Sequence, residues 1–220
     1  RTIFQEMADM TVKGFELADK YRMVSMILAD GIVGQMMEKV VLPPARPRRT
    51  DEEIARQCPW AITGRPATRK PNVITTLELD TAQMERNNER YQRTYRVIEQ
   101  NEVRYEKFMT EDADYLIVAF GSMARICQKS IEEAREQGIK IGLIRPITLW
   151  PFPYQAIKEL SDKVKGILVV ELNAGQMIED VRLAVEGNLP VHHFGRLGGI
   201  VPNPQEVLEA FNNKFPDAKK

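Results

Sequence analysis

Short apolar runs and helix-spaced apolar stripes alternate through residues 112–212. Tyr115 to Phe120, Lys140 to Arg145, Gly166 to Glu171 and Pro190 to Phe194 each have strand length. Between the first two runs, Met123, Ile126, Cys127, Ser130, Ile131 and Ala134 recur every three or four residues, the stripe with which a helix covers a sheet. Gly138 ends that helix, because glycine takes the left-handed closing conformation without a Cβ penalty. Pro153 suits the first turn of the next helix, whose Ile157 and Leu160 face inward, and Ala174 to Glu186 form a third. In Asn203-Pro204-Gln205-Glu206, Asn203 caps the last helix, Pro204 fits its first turn and Glu206 reaches back to the cap. This alternation predicts an α/β domain on a parallel sheet covered on both faces.

The first half of the chain reads differently. Phe4, Ala8, Thr11, Phe15 and Ala18 carry helical spacing, flanked by Met7 and Leu17, and Met23 to Ala29 read as a strand buried on both faces. Asp30-Gly31 breaks that run and Pro43-Pro44 closes the zone. One helix and one strand cannot close a core, so residues 1–44 are expected to be the remnant of a second α/β domain, with further sequence upstream of Arg1. Over residues 45–81, Pro43, Pro44, Pro47, Pro59, Pro66 and Pro71 prevent regular helix along most of a connection. Its Arg46, Arg48, Arg49, Arg56, Arg65, Arg69 and Lys70 outnumber Asp51, Glu52 and Glu53, and Trp60 and Ile62 are expected to dock.

Residues 82–109 contain neither Gly nor Pro. Met84, Tyr91, Tyr95, Ile98, Tyr105 and Met109 keep a heptad-like spacing, with Asn88 and Glu102 on the same seam. A continuous helix here would reach about 40 Å. It lies along its own protein or packs on a partner subunit, since polar seam residues weaken a free-standing coiled coil. The expected organisation is a remnant at 1–44, a linker with a long helix at 45–111, the α/β domain at 112–212 and a tail at 213–220.

Charge is balanced at 31 basic and 31 acidic residues, which argues against a nucleic-acid surface over the whole protein. No apolar run approaches the roughly 20 residues of a membrane span, and no signal peptide is visible. Cys58 and Cys127 form no paired motif, which disfavours a disulfide scaffold or thiolate metal site and fits a reducing cytoplasm. His192 and His193 are adjacent in an expected strand and would point to opposite faces.

Ligands of open α/β sheets gather at the carboxyl ends of the strands. That rim carries Gly121-Ser122, then Arg145 to Pro153, then Glu171 to Gln176, then Gly195 to Gly199. Gly121-Ser122 at a helix start could hold an anion, but no dinucleotide or phosphate-loop glycine motif is present. Arg145 and Glu171 are expected to form a structural ion pair, and Asn173 and Gln176 offer amides for loops or a partner's backbone. Arg145, Glu171, Asn173, Gln176 and Arg196 are the candidate interface residues; arginine forks are favoured at such surfaces. Trp150, among Pro146, Pro151 and Pro153, is expected to be packed. No catalytic or metal-ligating constellation stands out.

The Arg145–Pro153 run, the Val169–Met177 run, the Gly198–Pro202 run and Asp30-Gly31-Ile32-Val33-Gly34-Gln35-Met36 occur in a recognisable order. Together they closely resemble the alpha subunit of 2-oxoacid:ferredoxin oxidoreductases, the 2-oxoisovalerate and 2-oxoglutarate members most nearly. The resemblance covers most of the chain and is weakest in residues 45–81. It implies a subunit of an enzyme that decarboxylates a 2-oxoacid on thiamine diphosphate, reduces ferredoxin through iron–sulfur clusters and forms an acyl-CoA. It further implies that residues 1–44 end a pyrimidine-binding domain and that residues 112–212 resemble the transketolase C-terminal domain. The cofactor-activating glutamate would lie upstream, and diphosphate, magnesium and clusters would belong to beta, gamma and ferredoxin-like subunits. This stretch would then be structural, inactive alone, and bind no cofactor itself. Two other readings stand beside it: a lipoamide-linked 2-oxoacid dehydrogenase component and a non-catalytic interaction module.

Overall fold

The computed structural model describes residues 3–62, 64, 67 and 70–219; the expectations for Arg65, Pro66 and Arg69 lie outside the described residues. Its centre is a five-stranded sheet in the order β1-β3-β2-β4-β5, made by Tyr105–Phe108 (β1), Tyr115–Val118 (β2), Ile141–Pro146 (β3), Ile167–Glu171 (β4) and Val191–Gly195 (β5). The last four strands run parallel, as the alternation predicts. The strands alternate side chains between two apolar clusters: Tyr115, Ile117, Leu168 and Val170 face one, Leu116, Val118, Ile167 and Val169 the other.

Each cluster is closed by a pair of helices. Their order in the chain is α1 (Ile3–Tyr21), α2 (Gly31–Gln35), α3 (Asp51–Gln57), α4 (Thr81–Asn101), α5 (Gly121–Glu136), α6 (Tyr154–Ser161), α7 (Met177–Val185) and α8 (Pro204–Lys214). Helices α5 and α8 cover the first face through Met123, Cys127, Ile131, Val207 and Phe211; α6 and α7 cover the second through Ile157, Leu160, Ile178 and Val181. Ser130 lies buried in the stripe of α5 because its hydroxyl donates to the carbonyl of Pro204 at 2.9 Å, which ties α5 to α8. The cap of α8 is as expected: Asn203 accepts from the Glu206 N–H at 3.0 Å, and Glu206 accepts from the Asn203 N–H at 2.9 Å.

Three expectations need correction. The long helix stops at Asn101, and Tyr105–Phe108 leave it to pair with β3 antiparallel. Its polar, helix-favouring residues set no boundary, whereas an open sheet edge offers Tyr105 and Phe108 a ladder; tertiary pairing overrides propensity. The sheet is therefore mixed and begins before residue 112. Met23–Ala29 form no strand, because no neighbouring strand among the described residues supplies a ladder; most of this stretch is exposed. The proline-rich connection is without regular helix over most of its described residues, as expected; the exception is α3, whose Thr50–Glu53 capping box is complete. Finally, residues 213–220 are not a mere tail: Phe215 is buried against Phe211, Tyr115 and His192, with ring centroids 5.1, 4.9 and 5.2 Å away.

Candidate functional site

The parallel strands deliver their carboxyl ends to one rim. Arg145 sits at the end of β3 and Glu171 at the end of β4, with β2 between them. Two strand spacings separate such residues by about 10 Å, so the expected Arg145–Glu171 pair does not form. Arg145 instead pairs across the β1–β3 ladder with its register partner Glu106, Nη2 lying 2.9 Å from Oε2. It also grips Glu6 of α1 with both terminal nitrogens, at 2.9 and 2.8 Å. Burial alone would lower the pKa of this guanidinium, but the two carboxylates outweigh that and raise it, so it remains charged.

Glu171 is buried and acts within the domain. Its Oε2 accepts from the Met177 N–H at 2.8 Å, the Gln176 N–H at 3.3 Å and the Asn173 side-chain amide at 3.0 Å; its Oε1 accepts from the Ile178 N–H at 3.1 Å. These are the orphan donors at the start of α7, for which a buried carboxylate is a fitting acceptor. The Asn173 carbonyl oxygen of the side chain accepts from the N–H groups of Gly175 and Gln176 at 2.7 and 3.1 Å. Gly175 holds φ at +108°, which requires glycine for this turn. Gln176 is exposed at the head of α7.

Arg196 follows β5 and lies 2.6 Å from Glu206, bonding the loop to α8. The histidines do point to opposite faces. His192 meets Phe215, whereas Nε2 of His193 lies 3.7 Å from Glu171 Oε1, beyond hydrogen-bond distance. Ser122 donates its hydroxyl to Asp30, which also caps α2 by accepting from the Val33 N–H at 2.8 Å. A carboxylate of the same chain is thus the partner of the Ser122 hydroxyl at this helix start. Trp150 is 53% exposed and touches Tyr95 edge-on at 5.4 Å, so its expected burial is corrected: the prolines shape the loop without enclosing the indole.

Glu6, Glu102, Glu106 and Asp30 were not foreseen at this rim. Only the Glu106 contact had a local signal, the register of β1 with β3, and that required the strand to be known. A groove of about 980 Å³ runs between α1, Met23–Ala29, the end of α4 and the Pro146–Pro151 turn. Among the described residues no group of three or more His, Cys, Asp or Glu could hold a metal ion. Cys127 is fully buried, which pushes its thiol pKa up, and Cys58 lies beside Arg49 at 3.5 Å. These residues do not fit a cluster or metal, and no chemical step is assigned to them.

Residues 113–207 match the family model of the pyruvate:ferredoxin oxidoreductase core domain II. Ketoisovalerate oxidoreductase subunit VorB of Methanothermobacter thermautotrophicus is 42% identical over 217 residues, covering 97% of this chain and 59% of that protein. 2-Oxoglutarate synthase subunit KorA of Methanocaldococcus jannaschii is 32% identical over 222 residues, covering 94% of this chain and 60% of that protein. The chain thus spans about three-fifths of the length of these relatives. A solved structure, the 2-oxoglutarate:ferredoxin oxidoreductase of Magnetococcus marinus with 2-oxoglutarate, coenzyme A and succinyl-CoA bound, superposes with a TM-score of 0.57 at 19% identity. It covers 70% of this chain and 28% of that one, and the likeness is one of fold.

Proposed function

We propose a function from one premise: the chain belongs to the 2-oxoacid:ferredoxin oxidoreductases, as a relative of their ketoisovalerate and 2-oxoglutarate subunits. It serves as part of the alpha subunit of an enzyme that converts a 2-oxoacid and CoA to an acyl-CoA and carbon dioxide, passing two electrons to ferredoxin. The observation that carries this reading is the 42% identity to a ketoisovalerate oxidoreductase subunit along 97% of the chain. On that ground 2-oxoisovalerate is the favoured substrate and 2-oxoglutarate the second. Thiamine diphosphate, magnesium, iron–sulfur clusters and CoA act in the complete complex, with beta, gamma and ferredoxin-like subunits as partners and the cytoplasm as its place. No helix of the described residues is long and apolar enough to cross a membrane.

Within that enzyme these residues support and assemble. Residues 1–44 are the end of the pyrimidine-binding domain, and the rim of the α/β domain faces another subunit. Of the five rim residues, Glu171 and Asn173 hold the β4–α7 turn, Arg145 and Arg196 are engaged inside the chain, and Gln176 faces outward. The test is ferredoxin reduction by the purified native complex containing this chain, with CoA and either 2-oxoacid. Reduction with 2-oxoisovalerate, and iron in the complex, is expected. Activity that needs lipoamide and no iron points to the dehydrogenase reading, and no activity with any 2-oxoacid points to an interaction module. In an active complex, Gln176→Ala is expected to weaken subunit association by roughly 1 kcal/mol if it is a true hot spot. Unchanged association in analytical ultracentrifugation removes the rim from the interface.

A further inference from the structure

Helix α1 encloses no apolar side chain: Phe4, Met10, Val12 and Leu17 are only half-buried. Its single buried residue is Gly14, and Phe15 is 77% exposed. It is nevertheless held at both ends by distant side chains, near its start by Arg145 of the α/β domain and at its end by Glu102, the cap of α4. At its start Glu6 receives the two-pronged grip of Arg145, a side chain 15% exposed. At its end Lys20 and Tyr21 both donate to Oε1 of Glu102, at 2.8 and 2.7 Å. Glu102 closes α4, is 6% exposed, and also receives Arg104 at 3.0 Å on Oε2. Fourteen helical residues separate the two points, roughly 21 Å along the axis. Just beyond α1, Asp30 takes the hydroxyl of Ser122.

The layer that α1 belongs to coheres by similar means. Gln5 exchanges two hydrogen bonds with the backbone of Val41, at 2.9 and 2.8 Å. Arg46 pairs with Glu16, Arg49 lies 3.6 Å from Asp19, and the Arg22 guanidinium sits over Trp60 at 3.9 Å. Polar contacts thus join residues 5–60 to one another, to the domain at Glu6 and Asp30, and to the end of α4 at Lys20 and Tyr21.

We propose that Glu6–Arg145 and Lys20/Tyr21–Glu102 form a two-point electrostatic latch that fastens this layer across the carboxyl-end rim, so that it opens as a unit while the sheet stays folded. The physical basis is asymmetry of burial. Arg145 and Glu102 are the enclosed members. Removing Glu6 leaves Arg145 with the exposed Glu106 alone, and removing Lys20 leaves Glu102 with Tyr21 and Arg104. Each desolvated charge is then less fully matched, a larger effect than losing an exposed pair. An apolar dock would hold in high salt; a latch of charges with exposed members such as Lys20 weakens there.

The test is hydrogen exchange of the full chain, comparing α1 amides with those of β2, β3 and β4. In Glu6→Gln, which alters the α1 side and leaves the domain's core untouched, α1 exchange is expected to rise at least about tenfold with the sheet amides unchanged. Lys20→Met should do the same from the other end, and 1 M NaCl should reproduce part of the effect in the unaltered chain. Three results overturn the proposal: α1 amides that exchange freely before any substitution, α1 protection indifferent to both substitutions, or α1 and sheet amides accelerating together. The last would make these pairs contributors to global stability and not a latch.

Discussion

At the scale of single residues, buried charge is organised by what surrounds it and not by nearness in sequence. Glu171 was expected to meet Arg145, yet it serves the Asn173 side-chain amide and backbone donors five to seven residues ahead of it in the chain. That is a capping problem, and its answer was partly visible in sequence: an acidic residue at a strand end followed by Asn173, Gly175 and a helix. Glu102 is the opposite case. It read as one more polar position of a helix seam, and nothing local marked it as buried. Burial would raise its carboxyl pKa, but hydrogen bonds from Lys20, Tyr21 and Arg104 outweigh that and lower it from 4.5 to about 2. A depressed carboxylate pKa stabilises the fold at pH values above the ordinary one and loses that contribution as pH falls through the folded value. The stability gap between the unaltered chain and Glu102→Gln is therefore expected to be full above about pH 4.5 and to close toward pH 2. Because Lys20 is largely exposed, solvent screening limits the gap to about 2 kcal/mol. Denaturant midpoints measured for both proteins across that range check it; a gap constant with pH would mean that Glu102 contributes by packing alone.

Whole elements were read well where local pattern and tertiary need agree. The four parallel strands fall within a few residues of their expected ends, since each is a short apolar run with glycine, proline or charge at its borders. Elements that depend on a distant partner were not. β1 exists because β3 offers an edge, and Met23–Ala29 remain unpaired because no edge among the described residues is offered to them. The short link from β1 to β2 passes so close to β3 that Gly142 has no room for a side chain: a Cβ there would lie 2.7 Å from the Met109 carbonyl oxygen and 3.0 Å from both Ala113 Cβ and Thr110 Cα. Gly142→Ala should accordingly destabilise the domain by about 1–3 kcal/mol, the ordinary cost of overpacking. A melting point equal to that of the unaltered protein would show that the Met109–Ala113 link yields freely.

At the scale of the molecule, the parallel sheet with its two helical layers forms one core, and the preceding layer is attached to it by polar contacts. The boundaries expected at 112 and 212 cut into that core, removing β1 at one end and Phe215 at the other. Residues 103–219 should therefore melt cooperatively and at a higher temperature than residues 112–212, with loss of Phe215 alone worth about 3–5 kcal/mol. Residues 1–44 expressed alone should show no cooperative melt. Near-UV dichroism with thermal scans of the three pieces tests this, and a shorter piece as stable as the longer would place both β1 and Phe215 outside the cooperative unit. Periodicity, turn residues and caps act over a few positions, which is why the α/β class, the helix stripes and the Asn203 cap could all be read from the order of residues. The mixed edge of the sheet, the partners of Arg145 and the burial of Glu102 join positions up to 139 apart. Such contacts depend on how strands order themselves in a sheet and on which faces remain uncovered, and no window along the chain contains that information.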